Sequence, residues 1–459
     1  MKVHFSSAHF TLTKQCNLNC AYCYVHQRPE GVMSRETIQN GVKFLTDGAI
    51  KNNEKSVMIG FFGGEPTLCV DQMNYLFDYA YTYMEEVKLT KGIEITPIFN
   101  LTTNGMNWTP QLETFLTKWF KKAGKIHVQV SFDGPPELEA KQRPMKNGEN
   151  SGAIMEETLK HISRWCEENR TTIRENFCVH SVVTRSSLPH LYELYSYFMN
   201  LGFPVWHLLL PEERWTQKDA DLYKEQLLKI KDFVFLENDP TLLYMSKSFQ
   251  KLNPNCGPTC GAGLNFCNIA PNGRIYACHR IAEANEEDYI GILNEDGSYT
   301  INEDKKSVYE DLDSKEFLGV QRCGDCPNAQ WCYRCIAANM EENILPSLCF
   351  PAYCEMLKAE MPIQNDLQRE FKERGMIPNE GNSTSQNNTS HSCNCNSGEE
   401  LQEIREVIAR LVDGISDTHI TIADGLNTLQ KEMEAIRVTQ NDILNLILGL
   451  LLKQEDKNG

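Results

Sequence analysis

His9-Phe10-Thr11-Leu12-Thr13-Lys14-Gln15-Cys16-Asn17-Leu18-Asn19-Cys20-Ala21-Tyr22-Cys23 decides the reading of this chain. Its first four residues, His9–Leu12, are a strand candidate, and three cysteines follow within eight residues. Three thiolates so close together can grip one face of an iron–sulfur cube. With no fourth ligand nearby, one iron stays open for a small molecule. A zinc knuckle with a distant fourth ligand is the alternative.

Outward from that stretch, strand-like and helix-like segments alternate as far as about Phe235. The further strand candidates are Val57–Phe62, Glu94–Leu101, Ile126–Phe132, Phe177–Thr184 and Val205–Leu210. Helical patterns begin near Ser34, Asp71, Thr109, Gly152, Leu188 and Thr216. Thr109-Pro110 is a good opening, a hydroxyl cap followed by a proline where no donor is missed. Six strand–helix pairs predict an α/β fold, a partial (β/α)6 TIM-type barrel with helices outside a parallel sheet. Chemistry then belongs at the carboxyl ends of the strands.

The 459 residues imply more than one domain. With 45 Lys+Arg against 62 Asp+Glu, the net charge of −17 argues against nucleic acid or an anionic membrane as main partner. The N-terminus has no apolar signal region. The run Leu446 to Leu452 is far shorter than the ~20 residues of a membrane span. A cytoplasmic chain with 18 cysteines reads as metal-binding or catalytic rather than disulfide-linked. Ten of them fall between Asn253 and Met361, a region expected to rely on metal to fold. Pro378 to Glu399 is rich in Asn, Ser, Thr and Gly and reads as a linker. Beyond it, Leu401, Ile404, Ile408, Leu411 and Ile415 open a heptad pattern. The pattern resumes through Leu426, Leu429, Met433 and Ile436, then Ile443, Ile447 and Leu450, and predicts a coiled coil or docked hairpin. Oligomerisation and recruitment of a substrate both suit it. The resulting division is 1–235 core, 236–361 cysteine-rich domain, 362–398 linker and 399–459 helical tail.

CxxxCxYC after the first strand resembles the signature of the radical S-adenosylmethionine (radical SAM) superfamily, and the resemblance extends over the six-strand region. It implies that Cys16, Cys20 and Cys23 hold a 4Fe–4S cluster whose open iron takes the amino and carboxylate groups of S-adenosylmethionine. Reductive cleavage then gives a 5′-deoxyadenosyl radical that takes hydrogen from a substrate. Tyr22 would lie against the adenine. Gly63-Gly64-Glu65-Pro66 resembles the GGEP motif, whose bare backbone permits close approach of a ligand and whose glutamate meets the methionine amino group. Thr102-Thr103-Asn104-Gly105 resembles the TNG turn. Ser131-Phe132-Asp133-Gly134 resembles the SxDG segment, whose Ser131 and Asp133 would lie near the ribose. Arg143 is similar to the arginine that pairs with the methionine carboxylate. Outside this motif order, each of these polar residues would read as a turn cap or surface ion pair.

Cys260-x12-Gly273-x4-Cys278, then Cys323-x2-Cys326-x5-Cys332-x2-Cys335 and Cys354, resembles the SPASM extension of peptide- and protein-modifying members. The last internal gap is one residue shorter than the usual CX2CX5CX3C. The resemblance implies two auxiliary 4Fe–4S clusters: one on Cys260, Cys278 and Cys335, the other on Cys323, Cys326, Cys332 and Cys354. The fourth ligand of the first is Cys256 by preference, with Cys267 or an open site as alternatives. A structural zinc module is the competing reading of the whole region. Cys349, Cys69, Cys166 and Cys178 read as packed thiols, and Cys393-x-Cys395 as an incidental pair.

The implied function is oxidative modification of a ribosomally made peptide or protein, such as thioether crosslinking, with a flavodoxin or ferredoxin as reductant. Formylglycine generation by an anaerobic sulfatase-maturing enzyme is the second expectation. There an aspartate acting as base follows the cysteine matched to Cys278; here His279 takes that place as candidate base, a departure that counts against this reaction. A non-enzymatic iron–sulfur carrier or metal scaffold is the third. The 15 residues before Cys16 leave no room for a leader-binding domain, so the tail is expected to take that role.

Overall fold

The computed structural model describes residues 4–25, 31–210, 213–237, 261–312, 335–341 and 351–375, all within one compact unit, Met1–Ser392. The expected ligands Cys256, Cys260, Cys323, Cys326 and Cys332 lie outside the described residues. So do Cys349, the Cys393/Cys395 pair, the linker from Pro378 and the heptads beyond it.

The alternation is present. β1 (Ser7–Thr11) leads to α1 (Arg35–Asn52), β2 (Ser56–Phe62) to α2 (Val70–Lys91), and β3 (Thr96–Thr103) to α3 (Pro110–Ala123). β4 (Val128–Ser131) is followed by α4 (Pro136–Gln142), α5 (Ser151–Glu168) and the single turn α6 (Ile173–Asn176). β5 (Phe177–Val183) then leads to α7 (Leu191–Asn200), and β6 (Val205–Leu209) to α8 (Gln217–Glu237). Local chemistry fixes the helix starts. Ser34 Oγ accepts the Thr37 N–H, and Thr109 Oγ1 accepts that of Leu112 with Pro110 in the first turn. Thr216 and Asp219 cap α8 reciprocally, each side chain taking the other's backbone N–H.

β1 to β6 are parallel neighbours in that order. The faces of this sheet differ sharply. Ala8, Phe10, Ile59, Phe61, Phe99 and Leu101 are sealed under the helices. There Phe61 meets Phe99, Phe115 and Trp119 at centroid separations of 5.4, 5.6 and 5.9 Å. Such pairs add about 0.5–1.5 kcal/mol each beyond their buried area. The alternate positions, turned to the concave side, include His9, Asn100, Gln129, His180 and Trp206, none with a formal charge when the histidines are neutral. The partial parallel barrel expected from the sequence is the observed fold.

The sheet does not stop at six strands. β7 (Phe266–Ile269) pairs parallel with β1 on the side away from β2, and β8 (Arg274–Tyr276), β9 (Gly291–Leu293) and β10 (Tyr299–Ile301) continue antiparallel. The division at residue 235 therefore falls inside one ten-stranded sheet, because β1 has a free hydrogen-bonding edge that β7 fills. The linker start at 362 also moves: Pro351–Glu373 is one continuous helix with Pro362 inside it. It is held on α8 by Tyr223 Oη to Glu360 Oε2 at 3.0 Å, Lys231 to Glu370 at 2.8 Å, and the Phe235–Phe371 stack. Among the described residues, no helix is long and apolar enough to cross a membrane.

Candidate functional site

Residues 12–25 leave the carboxyl end of β1 as a loop stitched down on two sides. Gly64 N donates to Thr13 O at 2.7 Å and Glu65 N to Gln15 O at 2.8 Å. On the other side, Asn19 N donates to Pro144 O and Lys146 N to Asn17 O, with Leu18 bridging Met145. The loop is thus clamped between the end of β2 and the segment carrying Arg143.

This changes the part of the two glycines. A Cβ on Gly63 would stand 2.2 Å from Thr13 O, and one on Gly64 2.2 Å from Gln15 O. Gly63 also has φ 146°, a conformation that excludes most side chains. The close approach they permit in this structure is by the chain's own cysteine loop.

Glu65 is sealed between strand ends. Its Oε1 accepts from Thr67 N, Thr67 Oγ1 and Thr103 Oγ1 at 2.7–3.0 Å, and its Oε2 accepts from Asn104 N at 2.6 Å. Burial pushes its acid up against the pull of those four donors. Asn104 in turn donates from Nδ2 to Asn17 Oδ1 at 2.7 Å and to Cys16 Sγ at 3.6 Å.

A second polar group lies across the loop. The Tyr22 hydroxyl donates to Asp133 Oδ2 at 2.5 Å and accepts from Arg143 Nη1 at 2.5 Å. Asp133 Oδ1 accepts from Val182 N at 3.0 Å and Ser181 Oγ at 3.3 Å. Glu139, fully sealed on α4, takes the Asp133 N–H on Oε2 at 2.8 Å and faces Arg143 Nε from Oε1 at 3.1 Å. That last contact is an ion pair without hydrogen-bond alignment. Desolvation pushes the acids of Glu139, to about 8, and Asp133 upward, while the guanidinium beside them pulls both down. Ser131, at the end of β4, is half-buried and makes no side-chain hydrogen bond among the described residues. Tyr22 and Arg143, expected separately beside the adenine and the methionine carboxylate, are here bonded to each other.

None of Cys16, Cys20 and Cys23 is in a disulfide. The first two are half-buried and the third exposed. Among the described residues, no three His, Cys, Asp or Glu side chains are drawn together closely enough for a metal ion. The donor set nevertheless fits an iron–sulfur cluster. Three thiols share one anchored loop, and Cys16 Sγ accepts N–H bonds from Leu18 at 3.4 Å and from Asn104, the contacts that tune a ligating thiolate.

Of the second cysteine set, Cys278, Cys335 and Cys354 are described, all half-buried. Cys278 caps the helix His279–Ala284 and Cys335 precedes the helix Ile336–Glu341, and these two helices touch. Cys267, the alternative fourth ligand, is fully buried on β7. Cys69 and Cys166 are buried as expected, whereas Cys178 is half-buried on β5.

His279 closes an aromatic cluster at the concave face. Its ring stacks on Phe62 at 4.3 Å and on Tyr24 at 5.7 Å, and its Nδ1 lies 3.2 Å from Nδ1 of His9. One ring must therefore carry the proton at that contact and the other the lone pair. Burial, with the other histidine's charge second, lowers His9 to about 3; burial alone lowers His279 to about 4. Gly60 on β2 makes this possible, since a Cβ there would stand 2.3 Å from the His9 ring. Sequence reading missed His9, Glu139 and Thr67, and placed Thr103 in the TNG turn without its bond to Glu65. Only the placement of Glu139 six residues after Asp133 offered a signal.

These features make the chain an α/β barrel protein with a three-thiol loop and converging polar turns at its carboxyl mouth. Residues 10–174 match the family model described as the radical SAM superfamily; the chain carries a radical SAM domain. Such a domain implies a 4Fe–4S cluster and S-adenosylmethionine. Among curated relatives, an uncharacterized protein of Methanocaldococcus jannaschii is 28% identical over 42% of this chain and 57% of its own. The radical SAM cyclopropyl synthase TigE of Paramaledivibacter caminithermalis is 23% identical over 69% of this chain and 64% of its own. The mycofactocin maturase MftC of Mycobacterium tuberculosis is 26% identical over 71% and 77%. The chain thus spans about three fifths of the length of the first two. A solved structure of hexahistidine-tagged anSMEcpe with bound AdoMet shares the fold at TM-score 0.61 and 19% identity, over 79% of this chain and 95% of the other.

Proposed function

We propose that this protein is a radical SAM enzyme that modifies a ribosomally made peptide or protein by net oxidation. The observation that carries the proposal is the gathering of Cys16–Cys23, Gly63–Glu65, Asn104 and Ser131–Asp133 at the carboxyl ends of four adjacent parallel strands. The relatives support the substrate class, since MftC is named a maturase and TigE a cyclopropyl synthase. In this reading Cys16, Cys20 and Cys23 hold the cluster. When bound, it supplies the electron that cleaves S-adenosylmethionine to the 5′-deoxyadenosyl radical. Glu65, Asn104 and Arg143 keep the surrounding turns rigid, and Ser131 offers a hydroxyl to the nucleoside. The uncharged concave face receives the substrate segment. Two further clusters, on Cys256, Cys260, Cys278 and Cys335 and on Cys323, Cys326, Cys332 and Cys354, belong to the proposal, as do a flavodoxin or ferredoxin reductant and peptide recruitment by residues 399–459. Formylglycine formation is the second reading; histidine in place of that group's aspartate counts against it, while the position of His279 beside His9 keeps a candidate base there.

The test is release of 5′-deoxyadenosine by anaerobically reconstituted, reduced protein. Release is expected from the unaltered chain and lost when Cys16, Cys20 and Cys23 are all serine. A chain that binds iron yet releases none is a carrier, and the proposal fails. Removing residues 399–459 is expected to weaken peptide binding without changing iron content.

A further inference from the structure

Asn104 has no N–H left over for a ligand. Its backbone N–H is given to Glu65 Oε2 at 2.6 Å, and its Oδ1 accepts the Met106 N–H at 2.8 Å. That acceptance fixes the amide's orientation, because a flipped group would set Nδ2 against another donor. Both Nδ2 hydrogens then point at the cysteine loop, one to Asn17 Oδ1 at 2.7 Å and one to Cys16 Sγ at 3.6 Å. The side chain is 4% exposed, so water does not compete for these bonds. Cys16 is singled out by this arrangement. It also accepts the Leu18 N–H at 3.4 Å, and no N–H to sulfur bond is present at Cys20 or Cys23 among the described residues.

We infer that Asn104 is a positioning residue for the cluster loop, and that its Nδ2–H bond to Cys16 raises the reduction potential of the cluster this loop holds. The inference rests on the cluster assignment proposed above and replaces contact with S-adenosylmethionine as the work of this side chain. The physical reason is electrostatic. Adding an electron makes the cluster sulfurs more negative, and a fixed N–H dipole aimed at one of them stabilises the reduced form more than the oxidised. Glu65 holds the Asn104 backbone and so helps to fix this donor, besides touching the cysteine loop itself through its own N–H to Gln15 O.

The experiment is a redox titration of the reconstituted full-length protein. It follows the electron paramagnetic resonance signal that changes shape when S-adenosylmethionine is added. Asn104→Leu, which removes the donor, is expected to move the midpoint to more negative potential. Asn104→Asp keeps an oxygen for Met106 but turns an oxygen toward sulfur, and is expected to move it further. Asn17→Ala, which removes only the amide's other partner, is expected to move it less. Where Leu or Asp prevents iron uptake, Asn104→Ser gives up the same donor without charge or bulk, and its midpoint must fall too. Variants with full iron content and an unmoved midpoint overturn the inference. Lack of any signal responsive to S-adenosylmethionine in the unaltered protein is a different result and rejects the proposed function instead.

Discussion

Lys14 Nζ stands 3.4 Å from Glu283 Oε1, and both side chains are more than nine-tenths buried. Lys14 is two residues before Cys16, and Glu283 lies on the helix that Cys278 caps. One buried ion pair therefore ties the two cysteine regions together. Removing one partner of such a pair costs about 3–5 kcal/mol, whereas an apolar pair of similar volume is close to neutral. Glu283→Ala is expected to lower the unfolding free energy by that amount, and Lys14→Met with Glu283→Leu to recover most of it. Denaturant unfolding followed by circular dichroism measures both. A single variant as stable as the parent would show that the pair holds nothing.

Tyr22→Phe removes the hydroxyl between Asp133 and Arg143 and leaves both buried groups short of a partner. The expected loss is about 1–3 kcal/mol, accompanied by weaker binding of S-adenosylmethionine in equilibrium dialysis. Unchanged affinity would mean that the network serves stability alone.

Gly64→Ala sets a methyl against Lys14 O at 2.5 Å as well as Gln15 O. Backbone cannot yield cheaply, so the loop is expected to shift and iron content per chain to fall, while far-ultraviolet circular dichroism stays near that of the parent. Full iron loading in the variant would refute the clamp.

His207 gives a pH dependence whose sign follows from its partners. Tyr223 from α8 donates to Glu360 Oε2 on the helix Pro351–Glu373, so it accepts from His207 Nε2–H at 2.8 Å. Nδ1 of His207 then accepts from Tyr195 of α7, also at 2.8 Å. Burial, then the charge of His180 on β5, lowers His207 to about 3 from the ordinary 6.5. Between those values the unfolded chain binds a proton that the folded one refuses, so stability falls as pH falls below about 6.5 and is unaffected above it. The parent is expected to lose about 1.4 kcal/mol more per pH unit than His207→Gln in that window. Denaturant unfolding at pH 7 and pH 5 compares them; equal losses would mean that His207 is not held neutral.

The helix starts at Ser34 and Thr109 were legible because capping is written in adjacent residues. The parallel strands were legible because each precedes a long helical pattern. β7 to β10 were not, since strands of three or four residues carry little periodicity and β7 is defined by the edge of β1 that it covers. The motif residues were found, but not their partners. Tyr22, Asp133, Glu139 and Arg143 meet only after β4 and α4 fold back over the loop, and no local spacing announces that. The glycines of residues 63–64 were recognised as a place of close approach; what approaches is set by backbone about 50 residues upstream.

The pairing of β7 with β1 limits how this molecule can be taken apart. A fragment ending near residue 237 would present an uncovered row of β1 amides and carbonyls to solvent, in the strand that launches the cysteine loop. Exposed edges of this kind recruit other copies, so such a piece is expected to aggregate rather than survive as a miniature enzyme. The cysteine-rich half thus supplies the cover without which the strand bearing the cysteine loop would be open to solvent.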